Sequence, residues 1–109
     1  MTTTTNFEIQ QGSTFSRTMT IVDTDKVPLN LTSYTLTGQL RKNYSSTDFV
    51  AFTIIVLNAA TGKITINLDS EITSTLLFPK YVYDVEVSGN GNVYRILEGV
   101  IAISPNVTR

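Results

Sequence analysis

Tyr81-Val82-Tyr83-Asp84-Val85-Glu86-Val87, Ser88-Gly89-Asn90-Gly91-Asn92 and Val93-Tyr94-Arg95-Ile96-Leu97-Glu98-Gly99-Val100 follow one another without a break, and their reading decides the fold. Tyr81, Tyr83, Val85 and Val87 fall on one face of an extended chain, against Val82, Asp84 and Glu86 on the other. A period of two with aromatic and β-branched residues marks a half-buried strand. The Gly and Asn residues of 88–92 supply positive φ cheaply, which marks a hairpin tip. The return strand runs from Val93 to about Ser104, where Pro105 closes it. By alternation alone, Tyr94 lies on the face opposite Val93 and Leu97. A strand, a tight turn and a long antiparallel partner form the nucleus of an all-β domain.

Upstream segments extend the pattern. Phe7 and Ile9 alternate with Glu8 and Gln10, and Phe15, Met19 and Ile21 recur at even spacing among Ser16, Thr18 and Thr20. Tyr34, Leu36, Gly38 and Leu40 share one face of a further strand, and Gly38 marks a kink or a close approach by another backbone. Phe49 to Leu57 is almost continuously apolar, as in a strand covered on both sides or held in an interface. Lys63-Ile64-Thr65-Ile66-Asn67-Leu68 alternates cleanly. One helical turn is expected near 70–77, capped by Asp69 or Ser70, with Ile72 and Leu76 on one side and Phe78-Pro79 ending it. About seven or eight short strands separated by Gly and Pro turns predict an antiparallel β-sandwich or barrel. The expected layout is a flexible N-terminal arm over 1–6, a sandwich over 7–105 and a tail over 106–109.

Composition narrows the chemistry. The chain has 109 residues, 41% of them hydrophobic, with net charge −1 and neither Cys nor His. One domain with a real core is expected without disulfide staples. The absence of both residue types removes thiol nucleophiles, the serine–histidine triad and nearly all zinc sites. Scattered Lys and Arg make no basic stripe, so no nucleic-acid partner is expected. No apolar run approaches a membrane span, and Met1-Thr2-Thr3-Thr4-Thr5-Asn6 lacks the features of a secretion signal. Synthesis in the cytoplasm is the corresponding expectation.

The remaining candidate chemistry is sparse. Asp84 and Glu86 share a strand face, as a glycosidase pair might, but the polar side of an amphipathic strand explains them more simply. Asp23 and Asp25 resemble part of a calcium loop, yet Lys26 and Val27 follow where further oxygen ligands are needed. No catalytic residue, cofactor or metal ligand is therefore assigned. Asn30-Leu31-Thr32, Asn43-Tyr44-Ser45 and Asn106-Val107-Thr108 match a glycosylation pattern that chance explains in a Thr- and Asn-rich chain. Phe7, Phe15, Tyr34, Phe52, Tyr81 and Tyr83 fall at core positions, which leaves Tyr44 and Tyr94 as exposed contact candidates. Arg41, Arg95 and Glu98 interrupt apolar strands and are candidates for a cross-strand ion pair or a protein contact, with Arg17 in the same row.

The order of these features resembles a small domain of tailed-phage and prophage structural proteins. The resemblance begins with Phe7-Glu8-Ile9-Gln10-Gln11-Gly12-Ser13-Thr14-Phe15, Leu31-Thr32-Ser33-Tyr34-Thr35 and Gly38-Gln39-Leu40-Arg41-Lys42. It continues through Gly62-Lys63-Ile64-Thr65-Ile66, the Tyr81–Val87 strand, Arg95-Ile96-Leu97-Glu98-Gly99-Val100 and Ser104-Pro105-Asn106-Val107-Thr108-Arg109. It is similar to the N-terminal region of phage baseplate upper proteins. The resemblance implies an immunoglobulin-like sandwich and a non-enzymatic role in virion assembly, in multiple copies. It implies a tail, baseplate or fibre-attachment adaptor, with other virion proteins as partners and a homo-oligomer in the particle. Baseplate upper proteins continue into a long C-terminal part, so a chain ending at Arg109 is expected to be an adaptor rather than a receptor-binding tip. A capsid decoration or neck protein is the alternative within this class, and a carbohydrate-binding module the alternative outside it.

Overall fold

The computed structural model describes residues 3–22 and 25–105. The strands are β1 (Thr3–Thr4), β2 (Phe7–Gln10), β3 (Phe15–Thr20), β4 (Thr35–Arg41), β5 (Val50–Ala51), β6 (Thr53–Asn58), β7 (Lys63–Leu68), β8 (Lys80–Gly89) and β9 (Asn92–Ser104). They form two sheets. The first runs β1-β9-β8-β4-β5, with β2 also on β9, and the second runs β3-β7-β6. The β4-β8-β9 set corresponds to strands C, F and G of an immunoglobulin domain, β5 to C′, and β3-β7-β6 to B, E and D. The chain is thus a β-sandwich with immunoglobulin-type pairing.

The β8–β9 hairpin forms where the alternation places it. Asn90 and Gly91 have φ values of 52° and 78°, as a two-residue type I′ turn requires. Tyr81, Tyr83, Val85 and Val87 point inward and are buried, facing Ile64, Ile66 and Leu68 of β7 across the core. Each fully buried Ile or Leu contributes about 1.5–3 kcal/mol by leaving water. The rings of Phe7, Phe15, Phe52 and Tyr83 form a contiguous aromatic cluster, with centroids 5.4–6.5 Å apart.

The apolar run 49–57 changes sheets. β5 pairs with β4, Phe52 turns the corner with its ring buried, and β6 pairs with β7. Gly38 makes this possible. The Phe52 amide donates to its carbonyl at 2.9 Å, and a Cβ there would lie 3.1 Å from the Phe52 and Ile54 side chains. The close approach expected at Gly38 is present. The double-sided cover expected for the run is not, because Ile55, Val56 and Leu57 are exposed.

Two further expectations are corrected. The sandwich is not wholly antiparallel, since β1 and β2 run parallel to β9. Residues 3–6, expected in a flexible arm, are tied to the first sheet. The Thr5 amide donates to the Glu98 carbonyl at 2.9 Å, and Asn6 Oδ1 accepts from the Val100 amide at 2.9 Å. Residues 1–2 of the expected arm and the whole expected tail, 106–109, lie outside the described residues, as does Asp23.

The helical turn is α1 (Ser70–Thr73), shorter than the stretch expected. Its inward residue is Thr73 rather than Ile72, which is exposed. A single turn cannot sustain an i, i+4 stripe. The Thr73 hydroxyl instead reaches the Ser13 carbonyl at 2.8 Å, while Gln11 donates to the Leu76 carbonyl at 3.1 Å. Buried Leu76 then closes that end of the sandwich.

Candidate functional site: the outer face of the first sheet

β4, β8 and β9 present one face away from the core. In register, Gln39 lies beside Asp84 and Asp84 beside Glu98, while Glu86 lies beside Arg95. Arg41 projects from the end of β4, and Tyr44 stands in the loop just after it, 79% exposed. Arg41, Tyr44, Asp84, Glu86 and Arg95 line one cleft of about 300 Å³. The structure therefore brings together Arg41, Tyr44 and Arg95 of the sequence candidates, with Glu98 at their edge.

Arg95 organises the polar part. Its Nε lies 3.4 Å from Asp84 Oδ2 across the strands, and its Nη1 lies 3.4 Å from Glu98 Oε1. Of the three candidates, Arg95 makes the expected cross-strand ion pair, with Asp84 as its partner, while its contact with Glu98 runs along β9. At this exposure the pair is worth about 0–1 kcal/mol, so it orients the side chains more than it stabilises the fold. Arg41 is held differently. It donates to the Ser46 carbonyl and to Gln39 Oε1, and its guanidinium sits 5.3 Å from the Phe49 ring centroid. Both guanidiniums are thus braced before any partner arrives, which lowers the ordering cost of a contact.

Tyr94 and Arg17 lie elsewhere. β9 bulges opposite Val85 and Glu86, so Ile96 is an extra residue and the alternation changes phase. Tyr94 shares the inward side with Val87, and both Ile96 and Leu97 are buried. Alternation through 93–97 therefore misplaced Tyr94 relative to Leu97. Tyr94 is still 52% exposed, at the rim of a separate apolar cleft with Leu29, Leu31 and Tyr34. Arg17 is on β3 of the second sheet and folds over the Phe15 ring at 5.3 Å, so it does not join the row.

Asp84 and Glu86 do share the outer face, but Arg95 engages Asp84 directly. Among the described residues there is no group of His, Cys, Asp or Glu able to hold a metal ion. No helix among them is long and apolar enough to cross a membrane. Two of the Asn-x-Ser/Thr patterns have a local structural role. Asn30 Oδ1 accepts from the Thr32 amide at 2.9 Å, and Asn43 Oδ1 from the Ser45 amide at 3.1 Å, an Asx turn in each case. The second of these turns sets the loop that carries Tyr44.

The sequence candidates omitted β6. Ile55, Val56 and Leu57 are 50%, 41% and 53% exposed along an edge of the second sheet. Their signal was the unbroken apolar run itself. No protein-family model matches the chain, and no curated protein matches it significantly.

Proposed function

We propose that this domain is a non-enzymatic structural protein of a tailed-phage virion, made in the bacterial host cytoplasm and assembled in multiple copies. Within the particle it serves as a tail, baseplate or fibre-attachment adaptor and contacts other virion proteins. The observation that carries the contact role is the outer face of β4, β8 and β9, where braced Arg41 and Arg95 flank exposed Tyr44. Tyr and Arg are the residue types that concentrate binding energy at protein interfaces. The virion context rests on the sequence resemblance, and the immunoglobulin-type sandwich is the fold that resemblance implies.

A sugar platform would need its aromatic rings on one surface. Tyr44 and Tyr94 instead line different clefts, which favours the protein-contact reading.

The test is incorporation. Particles are made with the chain supplied in trans as wild type or as the double variant Tyr44→Ser, Arg95→Glu. The variant is expected to reach the particle at least about tenfold less at limiting supply, equivalent to roughly 1.4 kcal/mol of lost contact. Its urea midpoint should scarcely move. Equal incorporation of both forms would remove this face from the assembly role.

A further inference from the structure

Among the described residues no strand pairs with the outer sides of β3 and β6, the two edges of the second sheet, and the two edges differ in chemistry. β3 carries Arg17, which pairs in register with buried Ile66 and therefore springs from the inward side of the strand. An inward-pointing charge on an edge strand is a device that blocks strand addition. β6 carries no such charge, and its one irregularity, the extra residue Leu57 in the ladder with β7, lies beyond the 54–56 stretch. From Val50 to Gly62 the sequence contains no charged residue and no proline. Three consecutive side chains, Ile55, Val56 and Leu57, stand exposed on it. An open edge also presents a row of backbone donors and acceptors, which another extended strand satisfies best.

We propose that β6 pairs antiparallel with β6 of a second copy of this chain, about a two-fold axis through Ile55. The register follows from which face each residue occupies. Ile54 and Val56 lie opposite Ile66 and Ile64, so they face inward, whereas Ile55 lies opposite Thr65 and faces outward. Residues directly opposite in an antiparallel pair share a face. An axis through Ile55 satisfies this, setting Ile54 of one copy against Val56 of the other and Ile55 against itself. The apolar inner layer then continues from one sandwich into the next, and Val56 is covered. The two three-stranded sheets become one of six strands. Because the strand is neutral, no like charges meet when it faces itself, and its centre is apolar on both sides of the axis. This surface lies on the sheet opposite the Tyr44 face, and the inference stands without the virion reading.

The chain has no cysteine, so one introduced thiol reports its own neighbour. Across an antiparallel pair the Cα atoms are about 4.5–5.5 Å apart, within the roughly 4.4–6.8 Å that a disulfide spans. The wild-type chain is weighed in solution by sedimentation equilibrium over a concentration series. Ile55→Cys is oxidised in parallel, with Thr18→Cys on the other edge strand as the control. The expected results are a concentration-dependent doubling of the 12.0 kDa mass, covalent dimer from Ile55→Cys and none from Thr18→Cys. Ile55→Lys, which sets two ammonium groups against each other, should restore the monomer with an unchanged far-UV spectrum. A wild-type chain that stays monomeric at millimolar concentration overturns the proposal. So does a dimer that Ile55→Lys leaves intact, or equal crosslinking at both positions. None of these outcomes bears on incorporation through the Tyr44 face, so the two ideas fail separately.

Discussion

Tyr83 shows how much one side chain can carry. Its ring joins the aromatic cluster with Phe7 and Phe52, and its hydroxyl donates to the Thr5 carbonyl, far back in sequence. Burial pushes its phenol well above the ordinary value, and Glu98 acts in the same direction. Tyr83→Phe keeps the ring and removes the hydrogen bond. It should lower stability by about 1–3 kcal/mol in urea unfolding at neutral pH. The pH dependence has a definite sign. Past the free-tyrosine pKa of about 10, the unfolded chain gives up a proton that folded Tyr83 keeps, so stability falls as pH rises. Below that value the group adds no slope. Tyr83→Phe should flatten the alkaline decline, and an unaltered decline in the variant would show that other groups cause it. Sequence reading did place Tyr83 in the core, because period two is a backbone property. Its bond to Thr5 was not legible, because nothing local links residues so far apart.

At the scale of elements, the N-terminal strand is the clearest case of tertiary structure overriding sequence signals. Thr2 to Thr5 has no alternation to read, since one residue type repeats. What holds β1 is space on β9. A Cβ added at Gly99 would come within 2.1 Å of the Thr5 carbonyl oxygen. The chain crosses there, and the Asn6 side chain accepts the amide that a regular ladder would have used. Gly99→Ala should therefore push the strand off β9, costing about 1–3 kcal/mol as an overpacked site does. Hydrogen exchange should show protection lost at the Thr5 amide first. A variant with wild-type stability and protection would mean that the first strand is not held in this way. The β9 bulge had the same kind of invisibility. Alternation assumes an unbroken ladder, so it set Arg95 on the face of Leu97 and Glu98 on the other, whereas the extra residue Ile96 brings Arg95 and Glu98 onto the same outer face and turns Tyr94 inward. The run 49–57 was legible as unusual but not as divided, because an apolar run does not say which sheet each residue joins.

The whole molecule is a sandwich whose two faces are unlike. The first sheet turns a charged, Tyr-bearing surface outward, and the second ends in a neutral edge. Under the proposed adaptor role, the first surface would meet a different protein and the second a further copy of the chain. Repetition in a symmetric particle would then multiply modest contacts into firm attachment. The all-β class and most of the core could be read beforehand, since both follow from short-range periodicity. The pairing of the first strand with the last could not, because strand order is set by long-range packing. The central claim is that this domain is a working part of a virion. Its most direct test is quantitative mass spectrometry of tailed-phage particles, purified from cells carrying the genome that encodes it. The expected result is the chain at a constant ratio to the tail proteins, in multiple copies per particle. Particles that contain their full set of tail and capsid proteins but lack this chain would contradict it.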